Sequence, residues 1–368
     1  MADDGTSDSA DPLLDATTAL VPPLLVSLEA LAHASRHLHP PYLADVVASL
    51  DGIEETLMSG IAQFNAVEWP EQLAGFKDRM LEASGAAARA LSGLRAAVGD
   101  PNGVFKAYRS MRQTTLAVEA LYPLARTFPP VSRFFVDASR REDSEVLARI
   151  AAGDPTQDDV GVMHGQNARE QRGGVSLYVP EYYDKSRAWP LIVALHGGSG
   201  HGRDFLWSWL REARTRGAIV ASPTSRGDTW SLMGQDIDAH PLNELVKRIS
   251  EHWHIDSQRV LLTGMSDGGT YSYVAGLRRD VPFTHLAPIS GSFHPLLLDG
   301  MDRERLSGLP IYLAHGVLDW MFPVDVARMA RDALTAAGAR VTYREIEDLS
   351  HTYPREENAR ILDWLLDS

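Results

Sequence analysis

The chain has no cysteine among its 368 residues. That rules out disulfides, a thiol nucleophile and any thiolate-held metal. It has no unbroken apolar run approaching the ~18 residues of a membrane span. The opening MADDGTSDSADP lacks the basic start and apolar centre of a secretory signal. The expectation is a cytoplasmic protein without a membrane span. Positive charge is also short, with 35 Lys and Arg against 49 Asp and Glu and a net charge of -14. Such a surface repels a phosphate backbone, so no nucleic-acid partner is expected. What is present is ordinary globular composition, 44% hydrophobic and 23% charged. The length suggests one large domain and a smaller one.

Residues 1–12 are small, acidic and unpatterned, which predicts a disordered N-terminus. From 13 to 155 alanine and leucine abound and β-branched runs are scarce, predicting an all-α helical domain. Pro41 to Phe64 reads as one or two helices, interrupted near Gly52. Pro70 to Val98 is the clearest helix, with Leu73, Phe76, Met80, Ala87, Leu91, Leu94 and Val98 on one apolar stripe. Val104 to Leu121 and Arg141 to Ala151 read as two more. The pairs Pro22-Pro23, Pro40-Pro41 and Pro129-Pro130 are expected to break the segment into short pieces. Short helices depend on packing, so the expected role of this domain is docking, capping or homo-oligomerisation.

The polar Gly153 to Asp159 sets the boundary, and the period changes over 156–368. Val160 to Asn167 and Gly174 to Pro180 read as a hairpin. Six apolar runs follow as strands: Leu191–Leu195, Ala218–Ala221, Val260–Thr263, Thr284–Ser290, Ile311–Ala314 and Arg340–Ile346. Helical patterns lie between and after them, at Phe205–Arg216, Leu242–His252, Val324–Ala337 and Glu356–Leu366. That alternation predicts a mostly parallel, doubly wound α/β sheet.

Four stretches carry the chemistry. Gly264-Met265-Ser266-Asp267-Gly268 follows a strand and opens a helix, the context in which G-x-S-x-G lifts a serine into a strained turn. Ser266 is the candidate nucleophile. His196-Gly197-Gly198-Ser199-Gly200 follows another strand, and a tetrahedral intermediate needs backbone donors already aimed at its oxyanion. The proposed donors are the N–H groups of Gly198 and Asp267. In His315-Gly316-Val317-Leu318-Asp319, Asp319 is the candidate acid, with Asp325 a rival whose helix-start position favours a capping role. His315 reads as a structural turn residue. His351, the only histidine after Asp319, is the candidate general base and completes the order Ser, Asp, His. Ser199, Trp207, Trp230, Met265 and Trp320 are candidates for a substrate pocket, with Trp209 a further aromatic beside it. Asp236-Ile-Asp238-Ala-His240 and His252-Trp-His254 have ligand-like spacing without a third partner, so no metal is expected.

Residues from about 160 to 368 resemble the α/β-hydrolase superfamily through LHGGSG, TGMSDGG, HGVLDWMFP and LSHTYP. Within it they are most similar to carboxylesterase/phospholipase-like and polyhydroxybutyrate-depolymerase-like esterases. HGGS in place of HGGG argues against the hormone-sensitive-lipase branch. The resemblance implies a cofactor-free serine esterase acting on a small-molecule ester through an acyl-enzyme. Two alternatives are weighed against it. One is a peptidase or amidase with the same triad. The other is a helical interaction module carrying a weakly active hydrolase-like domain.

Overall fold

The computed structural model describes residues 11–154, 156–299 and 303–367. The expected disorder of the N-terminus falls mostly on residues outside this range. Its last two positions are ordered: Asp11 caps the first helix, its Oδ1 accepting from Leu13 N–H at 3.0 Å. The chain divides into two compact units, Met1–Ser132 and Arg133–Ser368. The division lies before the polar stretch 153–159.

The first unit is helical: α1 Pro12–Arg36, α2 Leu43–Ala48, α3 Ile53–Asn65, α4 Ala74–Arg95 and α5 Gly103–Leu121. α1 packs on α3, α4 and α5, and α4 on α5. The interruption near Gly52 is present, with Gly52 at φ 80. In α4, Met80, Ala87, Leu91 and Leu94 are buried as the stripe requires, but Val98 lies past the helix end and is exposed. Pro22 and Pro23 do not break the chain, because α1 runs through both. Pro23 has no N–H to give Ala19 O, and a Cβ added at Gly60 of α3 would sit 2.5 Å from that oxygen. The two helices therefore meet where the proline leaves a carbonyl free and a glycine leaves room for it. α1 also revises the expectation about membrane spans. It is long and apolar enough to cross a membrane by length and composition, with a mean hydropathy of 1.3 over its most apolar window. The window reaches that value as an average, with prolines and polar residues interspersed. Leu20, Leu24, Leu28 and Leu31 of α1 are buried.

α6, Pro129–Phe134, leads into the second unit, and α7, Ser144–Ala151, follows with its N-terminus capped by Asp143. Among the described residues, the second unit is built on eight strands: β1 Gly161–Gly165, β2 Val175–Val179, β3 Trp189–Leu195, β4 Ile219–Pro223, β5 Ile255–Met265, β6 His285–Ile289, β7 Pro310–Gly316 and β8 Arg340–Ile346. They form one sheet in the order β1-β2-β4-β3-β5-β6-β7-β8. β1, β2 and β4 pair antiparallel, and every pair from β4–β3 onward is parallel. β3, β4 and β6 are buried at every residue, as continuous apolar runs covered on both faces must be. The helices are α8 Gly202–Phe205, α9 Leu210–Arg216, α10 Ala239–His252, α11 Asp267–Gly276, α12 Arg303–Leu306, α13 Val324–Ala336 and α14 Glu356–Asp367. The single helix expected over 205–216 is split by a 3-10 turn at Leu206–Ser208. Leu206, Trp207, Trp209 and Leu210 are all buried.

The stretch 133–152 packs with α9. Arg216 donates to Asp137 Oδ2 at 2.7 Å, Asp137 N–H donates to Thr215 Oγ1 at 2.8 Å, and the Arg211 guanidinium lies 4.0 Å above the Phe134 ring. Val136, Val146 and Ile150 form a small buried cluster against Tyr182.

Candidate active site

The parallel strands deliver their C-terminal ends to one edge, where sites of open α/β sheets are built. Met265 ends β5 and Asp267 starts α11, leaving Ser266 alone in the turn at φ 56 and ψ -120. A serine pays backbone strain to stay there, and its surroundings enforce it. Ser266 N–H donates to Ile289 O at 3.0 Å, and its carbonyl accepts from Thr270 N–H at 2.8 Å. The crowding explains the glycines. A Cβ at Gly264 would lie 2.5 Å from the Gly268 carbonyl, and one at Gly268 would lie 2.4 Å from Leu195 O.

Asp319 and His351 come from the loops after β7 and β8. His351 Nε2 is 3.0 Å from Ser266 Oγ, and His351 Nδ1 is 2.8 Å from Asp319 Oδ2. The three sequence candidates therefore meet, with Ser266 8%, His351 6% and Asp319 6% exposed. Asp319 Oδ1 accepts from Met321 N–H at 3.0 Å and Phe322 N–H at 2.8 Å, which fixes the carboxylate. The Phe322 ring meets His351 edge-on at 5.4 Å. His315 Nε2 lies 2.8 Å from Phe322 O and 3.5 Å from Asp319 Oδ2, and burial lowers the His315 pKa. The rival Asp325 stands on α13, 81% exposed and paired with Arg328 at 2.9 Å.

The two proposed oxyanion donors flank the nucleophile. A Cβ added at Gly197 would lie 3.5 Å from Ser266 Cβ, and one at Gly198 2.7 Å from Asp267 Oδ2. Ser199 sits at φ 54 with its N–H on Asp228 O at 3.1 Å. His196, which the sequence reading passed over, holds this loop. Ser225 N–H donates to its Nε2 at 3.1 Å, so Nδ1 carries the proton and donates to Gly197 O at 2.7 Å. Burial pushes His196 down to about 3, which keeps the ring neutral.

The aromatic candidates separate. Trp230 is 3% exposed, stacks on Tyr271 at 5.5 Å and donates Nε1–H to His196 O at 2.8 Å. Trp207 is buried against Phe135, and Trp209 is fully buried. These three rings therefore support loops rather than offering a face to substrate, which corrects the expectation of a tryptophan-walled pocket. Met265 is half-buried beside Ser266, and Trp320 is 40% exposed next to Asp319. The ligand-spaced acids have other partners. Asp236 accepts from Tyr271 Oη at 2.6 Å, and Asp238 accepts from Arg226 N–H at 3.0 Å and Ser231 N–H at 2.9 Å. His252 and His254 face backbone carbonyls of Arg248 and Lys185.

The sheet order and the elbow between β5 and α11 are those of an α/β-hydrolase fold. Residues 234–366 match the model of the phospholipase/carboxylesterase family. The chain is similar to the probable feruloyl esterase C of Aspergillus terreus, 27% identical over 158 residues, which cover 40% of this chain and 56% of that protein. It is also similar to the bifunctional acetylxylan esterase/xylanase XynS20E of Neocallimastix patriciarum, 27% identical over 157 residues, or 41% of this chain and 22% of that protein. The chain thus spans little more than half of one relative and under a quarter of the other. The crystal structure of a thermostable esterase overlaps 57% of this chain and 63% of its own at 22% identity, with a TM-score of 0.47.

Proposed function

We propose that the second unit hydrolyses small-molecule carboxylic esters through an acyl-enzyme, without a cofactor. The observation that carries this reading is the continuous line from Ser266 Oγ through His351 to Asp319, at 3.0 and 2.8 Å. Ser266 Oγ attacks the ester carbonyl while His351 Nε2 takes its proton. Asp319 holds the His351 tautomer and stabilises the imidazolium. The N–H groups of Gly198 and Asp267 receive the oxyanion. Collapse of the tetrahedral species breaks the C–O bond, and His351 protonates the departing alcohol. Water, activated by His351, then cleaves the acyl-Ser266 bond. The exposed Trp320 and Met321 beside Asp319 are available to an apolar acyl or aryl group. The relatives' names make feruloyl and acetyl esters the first substrates to try. For the helical unit the reading is substrate selection or assembly.

The test is labelling of Ser266 by a fluorophosphonate, with matched ester and anilide substrates run in parallel. Ser266→Ala should abolish labelling and lower kcat by about 10⁴-fold or more while the protein stays folded. Wild-type turnover by that variant, or faster anilide than ester cleavage, would remove the reading.

A further inference from the structure

The loop of the β1–β2 hairpin sends one side chain to both loops around the oxyanion site. Arg172 donates from Nη1 to Gly200 O at 2.7 Å. Its Nε and Nη2 donate to Gly227 O at 3.0 and 2.7 Å, and Nη2 also reaches Asp228 O at 3.2 Å. The same Nη2 donates to Ser225 Oγ. The hairpin is tied to the same loops through Thr224 N–H on Gly174 O at 2.8 Å and His201 Nε2 beside Gln171 O at 2.9 Å.

The joint that Arg172 closes is the one that fixes Gly198. Its neighbour Ser199 gives its N–H to Asp228 O, one of the carbonyls Arg172 also holds. Gly200 N–H closes a turn onto Gly197 O at 3.0 Å, while its carbonyl is held by Arg172. Thr229, next to Asp228, donates its hydroxyl to Asp267 Oδ2 at 2.6 Å. The two loops that carry or brace both oxyanion donors are therefore locked to each other. Holding three carbonyls at fixed angles calls for a planar fork of donors, which an ammonium does not offer. Burial lowers the Arg172 pKa, and the charges of Asp228 and Asp238 oppose that shift by favouring the protonated form.

We propose that Arg172 is a positioning residue for the oxyanion site, pinning the carbonyls of Gly200, Gly227 and Asp228 so that the Gly198 N–H is aimed before substrate arrives. The inference rests on Gly198 and Asp267 being the oxyanion donors. A whole oxyanion donor is worth about 10²- to 10³-fold in kcat, and a mis-aimed one forfeits part of that.

Arg172→Met and Arg172→Lys are to be compared with the wild type on a p-nitrophenyl ester, with a melting curve for each. For Arg172→Met, kcat should fall about 10- to 100-fold with KM within about threefold. Affinity for a trifluoromethyl ketone, which forms a tetrahedral oxyanion on Ser266, should fall by the same factor as kcat/KM. The midpoint of the pH profile should not move, because Ser266, His351 and Asp319 keep their contacts. Should the methionine variant fail to fold, Arg172→Lys carries the test, with a smaller loss in the same pattern. Wild-type kcat and ketone affinity in a folded variant would overturn the inference. So would a loss confined to KM, or a shifted pH midpoint. Fluorophosphonate labelling of wild-type Ser266 separates the two readings. An unlabelled serine removes the proposed chemistry, whereas a labelled serine with an indifferent Arg172 removes only the positioning role.

Discussion

Two carboxylates compete for the role of acid after β7, and their surroundings separate them. Asp319 is buried and holds His351 at 2.8 Å while two backbone N–H groups grip its other oxygen. Asp325 is 81% exposed, with Arg328 for a partner. Asp319→Asn should therefore lower kcat by about 10⁴-fold, because an amide that donates to Nδ1 favours the wrong tautomer. Asp325→Asn should stay within about twofold, the ordinary effect of a surface ion pair. Steady-state kinetics on both folded variants checks the ranking, and the reverse order would assign the acid to Asp325. The meeting of Ser266, His351 and Asp319 was legible in the sequence because each stands as one residue type in one local context. Arg172, His196 and Thr229 were not, since they act on atoms of loops distant in sequence and leave no spacing pattern. The tryptophans were misread for a related reason. Sequence puts Trp207 and Trp230 near active-site loops but does not say which face of a loop a ring occupies.

At the scale of elements, the opening stretch of the second unit is the informative one. Its polar end at 153–159 looks like a boundary, yet Asp137, Val146 and Ile150 before it are buried with residues of the second unit. Hydropathy marks the turn, whereas the Asp137–Arg216 pair that ties the segment down depends on a residue far along the chain. A truncated protein beginning at Arg133 should therefore melt well above one beginning at Asp159. The shorter chain loses the Val136 cluster and leaves Arg216 without Asp137. Equal melting temperatures would show that α7 and the residues before it contribute nothing to the sheet domain. In the helical unit, the proline rule that predicted short pieces failed at Pro22-Pro23. Propensity describes an isolated helix, and α1 is held by packing along its buried leucines.

For the whole molecule, alternating strands and helices gave the parallel sheet, and the polar loop at 168–173 gave the hairpin. The placement of β3 between β4 and β5 was not readable, because any of several strand orders buries the same apolar runs. A global consequence of burial is the response to acid. His285 is buried, with its ring edge-on to Trp364 at 5.1 Å, and burial lowers it from 6.5 to about 4. His196 is lowered to about 3 by the same cause. Between these values and 6.5 the unfolded chain binds protons that the folded one refuses, so stability falls as pH falls through that window. Urea midpoints measured from pH 6.5 to 4 should decline less steeply in His285→Asn than in the wild type. A parallel decline would mean that His285 is protonated in the folded protein.

The crowding around the elbow has a consequence for saturation mutagenesis with an activity screen. Gly264 and Gly268 supply no reacting group, yet even alanine at either drives a methyl into backbone. Such a screen would rank them beside Ser266 and His351, and intolerance alone would overstate the number of groups that meet the substrate. The two kinds separate when abundance is scored beside turnover. The glycine variants should vanish from the soluble fraction, whereas Ser266→Ala should accumulate as folded, inert protein.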